Sequence, residues 1–236
     1  MKRMIPDVTL RNAAITAGIS LLVMAVLAPV ADFVILKRLI VPEDAAKTAS
    51  NIVSSEGLFR IGISLFLIVA ILDIIVAWAL YVFLKPVNRS LSLLAALLRI
   101  VYAALLGSAT FSLINILNLQ NGAGYLSAFT TQQIQAQVML SLIAFRSGWE
   151  AALVIFGLHL FILGWLFFKA GYMRRILGVL LIIASMGYLI DGLGKLLSSQ
   201  YNMNISMFTF IGEVVLIFWL LIIGQKMKEV PEPRPE

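Results

Sequence analysis

GWEAALVIFGLHLFILGWLF, residues 148 to 167, decides the fold. Within this run only Glu150 and His159 can ionise, and His159 is the single histidine of the chain. At a rise of about 1.5 Å per residue the run extends about 30 Å, the thickness of bilayer hydrocarbon. We read it as a transmembrane helix. An acid and an imidazole inside such a helix need polar partners within protein. Their nine-residue separation turns through about 900° at 100° per residue, so they face opposite ways. One helix therefore addresses two polar environments, which places it among other helices rather than at the lipid edge.

The rest of the chain repeats the pattern. Its 236 residues are 61% hydrophobic and 13% charged, against about 45–50% and about 25% in soluble domains. We read six transmembrane helices, at about 11–34, 58–84, 90–118, 146–168, 174–196 and 203–224. The fold class is all-α, a six-transmembrane-helix bundle. Lys2, Arg3 and Arg11 precede the first span; Lys85 and Arg89, then Lys169, Arg174 and Arg175, lie in two inter-span turns; Lys226 and Lys228 follow the sixth. All these clusters fall on one side, whereas loops 119–132 and 197–202 carry no charge. That asymmetry predicts cytoplasmic N and C termini and a multi-pass protein of a prokaryotic plasma membrane. Loop 35–57 balances Lys37, Arg38 and Lys47 against Glu43, Asp44 and Glu56. A secretory signal at the start is the rival reading; its apolar stretch is longer than usual and Pro29-Val30-Ala31 is a poor cleavage site. Tryptophans 78, 165 and 219 near inner ends, and Trp149 near an outer end, read as interfacial belts.

Two connections carry further structure. Pro42-Glu43-Asp44 reads as a helix start, with Ala45, Ala49, Ile52 and Val53 on one face, giving a short extracytoplasmic surface helix at 43–55. Thr130 and Gln133 form a capping-box pattern. The fourth span then begins near residue 131, with Ile134, Val138 and Leu142 inward. Residues 1–228 form one integral membrane domain, and the tail 229–236, ending VPEPRPE, reads as disordered.

Depth organises the polar residues. Asp73 is eleven residues from Leu84 and Glu213 eleven from Gly224, each roughly 16 Å deep. Arg99 is nine from Ser90, roughly 14 Å, and His159 ten from Lys169, roughly 15 Å. Four ionisable residues on four helices thus share one level near the bilayer centre, where a charge costs about 2.5–3.5 kcal/mol on insertion scales. They are the ligand- or proton-binding candidates. Asp191, roughly 24 Å up, and Glu150, roughly 28 Å up, form a secondary layer with Arg146 and Lys195. Asp191 and Lys195 are four apart in the favourable order, and Arg146 and Glu150 four apart in the less favourable one. Plainer readings stand beside these. Asp32, Arg60, Arg146 and Lys195 fit interfacial pairing or snorkelling. Asp73 with Arg99 fits a structural ion pair, and His159 a hydrogen-bonded core histidine. Ala184, Gly187, Asp191 and Gly194 give the fifth span a small-residue face for a close neighbour, with Asp191 against the fourth or sixth span.

The segments RLIVPEDAAKTASNIVSSEGLFRIGI (38–63), LKPVNRSLSLLAALLRIVYAALLG (84–107) and FGLHLFILGWLFFKAGYMRRILGVLLIIASMGYLIDG (156–192), followed by Glu213, resemble a prokaryotic six-helix membrane family, domain of unknown function 4386. The resemblance runs in order over nearly the whole chain. It implies an integral membrane fold and carries no catalytic residues.

Composition and spacing exclude several chemistries. The chain has no cysteine, hence no disulfide, thiolate site or thiol nucleophile. One histidine excludes bis-histidine haem and multi-histidine zinc sites. Asp73 and Asp191 differ by roughly 8 Å in depth, too far for a carboxylate dyad, and Asp73 with Glu213 fits the depth better but has no local support. Ser147 and His159 share a helix and cannot act as nucleophile and base. An oxygen-rich metal set of Glu150, His159, Asp191 and Glu213 is conceivable but scattered in depth, and no metal or cofactor is assigned. The net charge of +6 is spent at helix ends, which argues against nucleic acid. Three functions remain: a small-ligand- or proton-binding transporter or sensor; a membrane enzyme acting on lipid from the outer leaflet through Glu150, His159 or Asp191; and an interaction module whose charges specify packing. The expected partners are lipids, an unidentified small molecule and a second copy in a homodimer.

Overall fold

The computed structural model describes residues 8–170, 172–198 and 200–226, with the backbone alone for 172–174. Lys2, Arg3, Lys228 and the tail 229–236 lie outside the described residues. Within them the chain is all helical, without a strand, and six helices are long and apolar enough to cross a membrane.

The first, α1, runs Leu10–Leu39. It is α-helical to Pro29, then widens to a π-helix over Val30–Leu36. Pro29 has no N–H to give the preceding turn, and the ladder resumes one residue wider, with the Lys37 N–H bonded to the Asp32 carbonyl. Within the stretch 43–55 a short helix, α2, runs Ala45–Ser54. It starts later because Glu43 takes a left-handed φ of 63° and Asp44 caps the Lys47 N–H at 2.8 Å. Ala49 and Ile52 are buried, but Val53 is exposed. Thr48 Oγ1 bonds both the N–H and the carbonyl of Val41, and Asn51 bonds the Leu39 carbonyl, stitching α2 to the end of α1.

Helix α3 spans Glu56–Leu84 and α4 Arg89–Leu119. Asn88 caps α4 through the Leu91 N–H. Helix α5 runs Thr131–Lys169. Its start is the reciprocal capping box: the Thr130 N–H donates to Gln133 Oε1 at 2.8 Å and the Gln133 N–H to Thr130 Oγ1 at 3.3 Å. At about 58 Å this helix exceeds the hydrocarbon thickness nearly twofold. Helix α6 is Tyr172–Leu197. The last span, α7, covers Ser206–Lys226 and breaks at Phe210 into Ser206–Thr209 and Ile211–Ile222.

The chain packs as two compact units. Among the described residues the first gathers 8–22, 73–101 and 153–226. Glycines set its closest approaches: a Cβ on Gly178 would lie 2.5 Å from the Gly164 carbonyl oxygen and 2.5 Å from the Phe168 nitrogen. Phe83, Phe167 and Trp219 form an aromatic cluster there. Trp219 is thus buried, not a belt residue, whereas Trp78 and Trp165 are exposed. The second unit gathers residues 23–72 and 102–152. Its core holds Phe66, Phe145 and Trp149 in mutual ring contact.

Candidate functional site

Three of the four mid-depth residues meet directly in the first unit. On α4, the Ala95 carbonyl and the Arg99 side chain lie one turn apart. His159 of α5 spans them, with Nδ1 at 2.8 Å from the Ala95 oxygen and Nε2 at 3.2 Å from Arg99 Nη1. A carbonyl only accepts and a guanidinium only donates. The ring is therefore the neutral tautomer carrying its proton on Nδ1. Asp73 of α3 approaches from the other side, its Oδ1 at 2.7 Å from Arg99 Nη2. Exposure is 0% for Asp73, 2% for Arg99 and 1% for His159. The ion pair is close but lies off the hydrogen-bonding direction. Both Asp73 carboxylate oxygens and Arg99 Nε are left without a directional hydrogen bond.

Glu213, the fourth, is one aromatic ring away. It is half-buried and sits in the first turn of Ile211–Ile222, just past the break at Phe210. Tyr188 of α6 donates its hydroxyl to Glu213 Oε1 at 2.8 Å. The Tyr188 ring stands edge-on to Phe156 at 5.3 Å, and the Arg99 guanidinium carbon is 5.3 Å from the Phe156 centroid. One carboxylate, Asp73, thus pairs with the guanidinium, and the second, Glu213, lies beyond Phe156 and Tyr188, with a neutral imidazole between helices. Counted with both carboxylates ionised, the cluster is one positive charge short.

The secondary residues go elsewhere. Asp191 is consumed at the turn into α7. It accepts from Tyr201 Oη at 2.7 Å, the Ile205 N–H at 2.9 Å, the Ser206 N–H at 2.7 Å and Ser206 Oγ at 2.6 Å. It thus acts as an N-terminal cap for α7, favoured by the helix dipole. The small face of α6 admits this turn: a Cβ on Gly187 would strike Ser206 and Thr209, and one on Gly194 the Tyr201 ring. The Asp191 hydrogen bond pushes the Tyr201 phenol up to about 12. In the second unit Arg146 Nη2 pairs with Asp32 Oδ1 of the π-helical segment at 2.7 Å, over the Trp149 ring. Arg60 pairs with Glu56 at 2.6 Å, one turn earlier. Glu150 and Lys195 are half-buried. Among the described residues no three His, Asp or Glu side chains converge as metal ligands.

Tyr188, Phe156 and the Ala95 carbonyl were not singled out by sequence. A lone tyrosine in an apolar span was the available signal for the first. Nothing in sequence marks a particular phenylalanine or carbonyl.

The model of a family described as Domain of unknown function (DUF4386) matches residues 16–224. An "Uncharacterized protein" of Archaeoglobus fulgidus is 41% identical over 168 residues, covering 71% of this chain and 86% of the relative. No solved structure matches.

Proposed function

The chain belongs to the family described as Domain of unknown function (DUF4386), and from that premise we propose that Asp73, Arg99, His159 and Glu213 form the proton- and ligand-binding centre of a transporter or sensor in a prokaryotic cytoplasmic membrane. One observation carries this reading: a single guanidinium, Arg99, pairs with Asp73, and a second carboxylate, Glu213, follows one aromatic ring and one tyrosine away. In a low-dielectric interior such a set holds one more proton or cation to balance. Phe156 separates Arg99 from Tyr188, so the proton on Glu213 and the Arg99–Asp73 pair are coupled through charge rather than through a shared hydrogen bond. Six spans are few for a solute pathway in one chain, and a homodimer belongs to the proposal.

Infrared titration of the purified protein tests it. We expect a protonated-carboxyl band that disappears in Glu213→Gln and shifts in its titration in Arg99→Gln. Identical carboxyl titrations in wild type and Glu213→Gln would remove the proton site.

The packing reading has its own support, because both ring nitrogens of His159 are partnered and Arg99 meets Asp73. It differs in outcome: under it, Glu213→Gln alters stability alone. The lipid-enzyme reading has less to draw on. Tyr201, Ile205 and Ser206 occupy both Asp191 carboxylate oxygens at the start of α7, and both ring nitrogens of His159 are already partnered.

A further inference from the structure

From residue 100 to residue 145 the chain contains no Asp, Glu, Lys, Arg or His. Inside that stretch, within the second unit, α4 and α5 enclose an open groove of about 480 Å³. It is lined by the polar side chains of Ser112, Asn115, Gln137 and Ser141 together with Phe111, Leu140 and Ala144. The volume falls within the range of about 300–1,000 Å³ typical of small-molecule sites. Phe111 is 66% exposed and Leu140 63%. Asn115 Nδ2 donates to Ser141 Oγ at 3.2 Å. That leaves the Ser141 hydroxyl proton, the Asn115 carbonyl oxygen and the Gln137 amide to meet a ligand. Hydroxyls and amides both donate and accept.

Position along the helices supplies the second argument. Ser112 and Asn115 lie about 35 and 39 Å along α4 from Arg89, and Ser141 and Gln137 about 42 and 48 Å along α5 from Lys169. Hydrocarbon is about 30 Å thick, and headgroups extend the bilayer to about 40–45 Å. Ser112, Asn115 and Ser141 thus fall at headgroup level on the side away from the basic turns, and Gln137 just outside it. Ile143, 55% exposed, follows Leu140 back towards the hydrocarbon.

We propose that this groove binds a membrane lipid with an uncharged, multiply hydroxylated headgroup, a glycolipid, with its sugar on the amide and hydroxyl side chains and an acyl chain along Phe111, Leu140 and Ile143. None of the lining residues is a cation, which disfavours phosphate headgroups, since they would lose hydration without a counter-charge. None is a carboxylate, so a choline or amine headgroup finds no ionic partner among them. Sugar hydroxyls match groups that donate and accept together.

The test is lipid retention by native mass spectrometry from nanodiscs holding equal amounts of glycosyl diacylglycerol, phosphatidylglycerol and phosphatidylcholine with the same chains. Wild type should retain the glycolipid preferentially. Asn115→Leu and, separately, Gln137→Leu should each weaken that retention about 3- to 10-fold, the loss of one or two hydrogen bonds. Ala144→Arg, which adds a cation to the groove wall, should turn the preference towards phosphatidylglycerol. Equal retention of all three lipids overturns the proposal. So does a glycolipid preference unchanged in both leucine variants, or efficient Leu140→Cys cross-linking between two copies, which would assign the groove to a dimer interface.

Discussion

At the scale of residues, the central cluster is defined by what each partner can donate or accept. Asp73 is wholly buried against Arg99, and removing one member of such a pair strands the other charge. Asp73→Ala should therefore cost about 3–5 kcal/mol, read as a lowered thermal midpoint in detergent. Asp73→Leu combined with Arg99→Met should recover most of that loss, because an apolar pair leaves no charge uncompensated. Recovery restricted to stability, with the carboxyl titration altered, would separate the functional role of the cluster from its packing role. Tyr201 offers a pH-dependent readout outside the spans. Its folded value of about 12 lies above its ordinary value of 10.0. The hydrogen bond to Asp191 therefore contributes fully below about pH 10 and is lost as pH rises through about 12. Tyrosinate absorbance should show one late-titrating phenol that is missing from Tyr201→Phe and shifted down in Asp191→Asn. These residue-level facts were only partly legible. Asp73, Arg99, His159 and Glu213 were marked by depth, since ionisable groups inside apolar spans are rare. The Asp191 cap was hidden because its partners, Tyr201, Ile205 and Ser206, lie across a turn whose path sequence does not specify.

Elements show where backbone geometry takes over from side-chain pattern. The wide turn at Val30–Leu36 brings Asp32 to Arg146, and the Pro29 that precedes it is visible in sequence while the resulting register is not. The α5–α6 approach depends on glycine. A methyl on Gly178 would meet backbone atoms of Gly164 and Phe168, which cannot swing aside as a flexible side chain can. Gly178→Ala should destabilise by about 1–3 kcal/mol. Gly107→Ala is the matched control: nothing lies within 4 Å of its added Cβ. Helix propensity alone should make it stabilising by about 0.5–1 kcal/mol. Thermal unfolding of the two variants side by side checks both signs. The full length of α5 was foreshadowed by Thr130 and Gln133, because a capping box is local and its reciprocal bonds form wherever the helix starts.

For the whole molecule, the cysteine-free chain permits sided labelling without background. The basic clusters predict that Val87→Cys, in the α3–α4 turn, reacts with an impermeant maleimide only after the membrane is opened. Asn121→Cys, in the uncharged loop after α4, should react in intact cells. Reversed reactivity would invert the assigned orientation and place the uncharged groove in the cytoplasmic leaflet.

What the sequence determined by itself is the number and kind of long apolar helices, and the positions along them at which ionisable residues occur. Both follow from the one-dimensional cost of placing polar groups in hydrocarbon, which acts on every residue whatever its neighbours. Only the tertiary structure decided which charges meet. It joined Arg99 to Asp73 and His159, set Glu213 against Tyr188, and assigned Asp191 to a helix cap. Those choices depend on how helices rotate and approach one another, and such rotation is fixed by glycine contacts and aromatic packing between residues far apart in the chain.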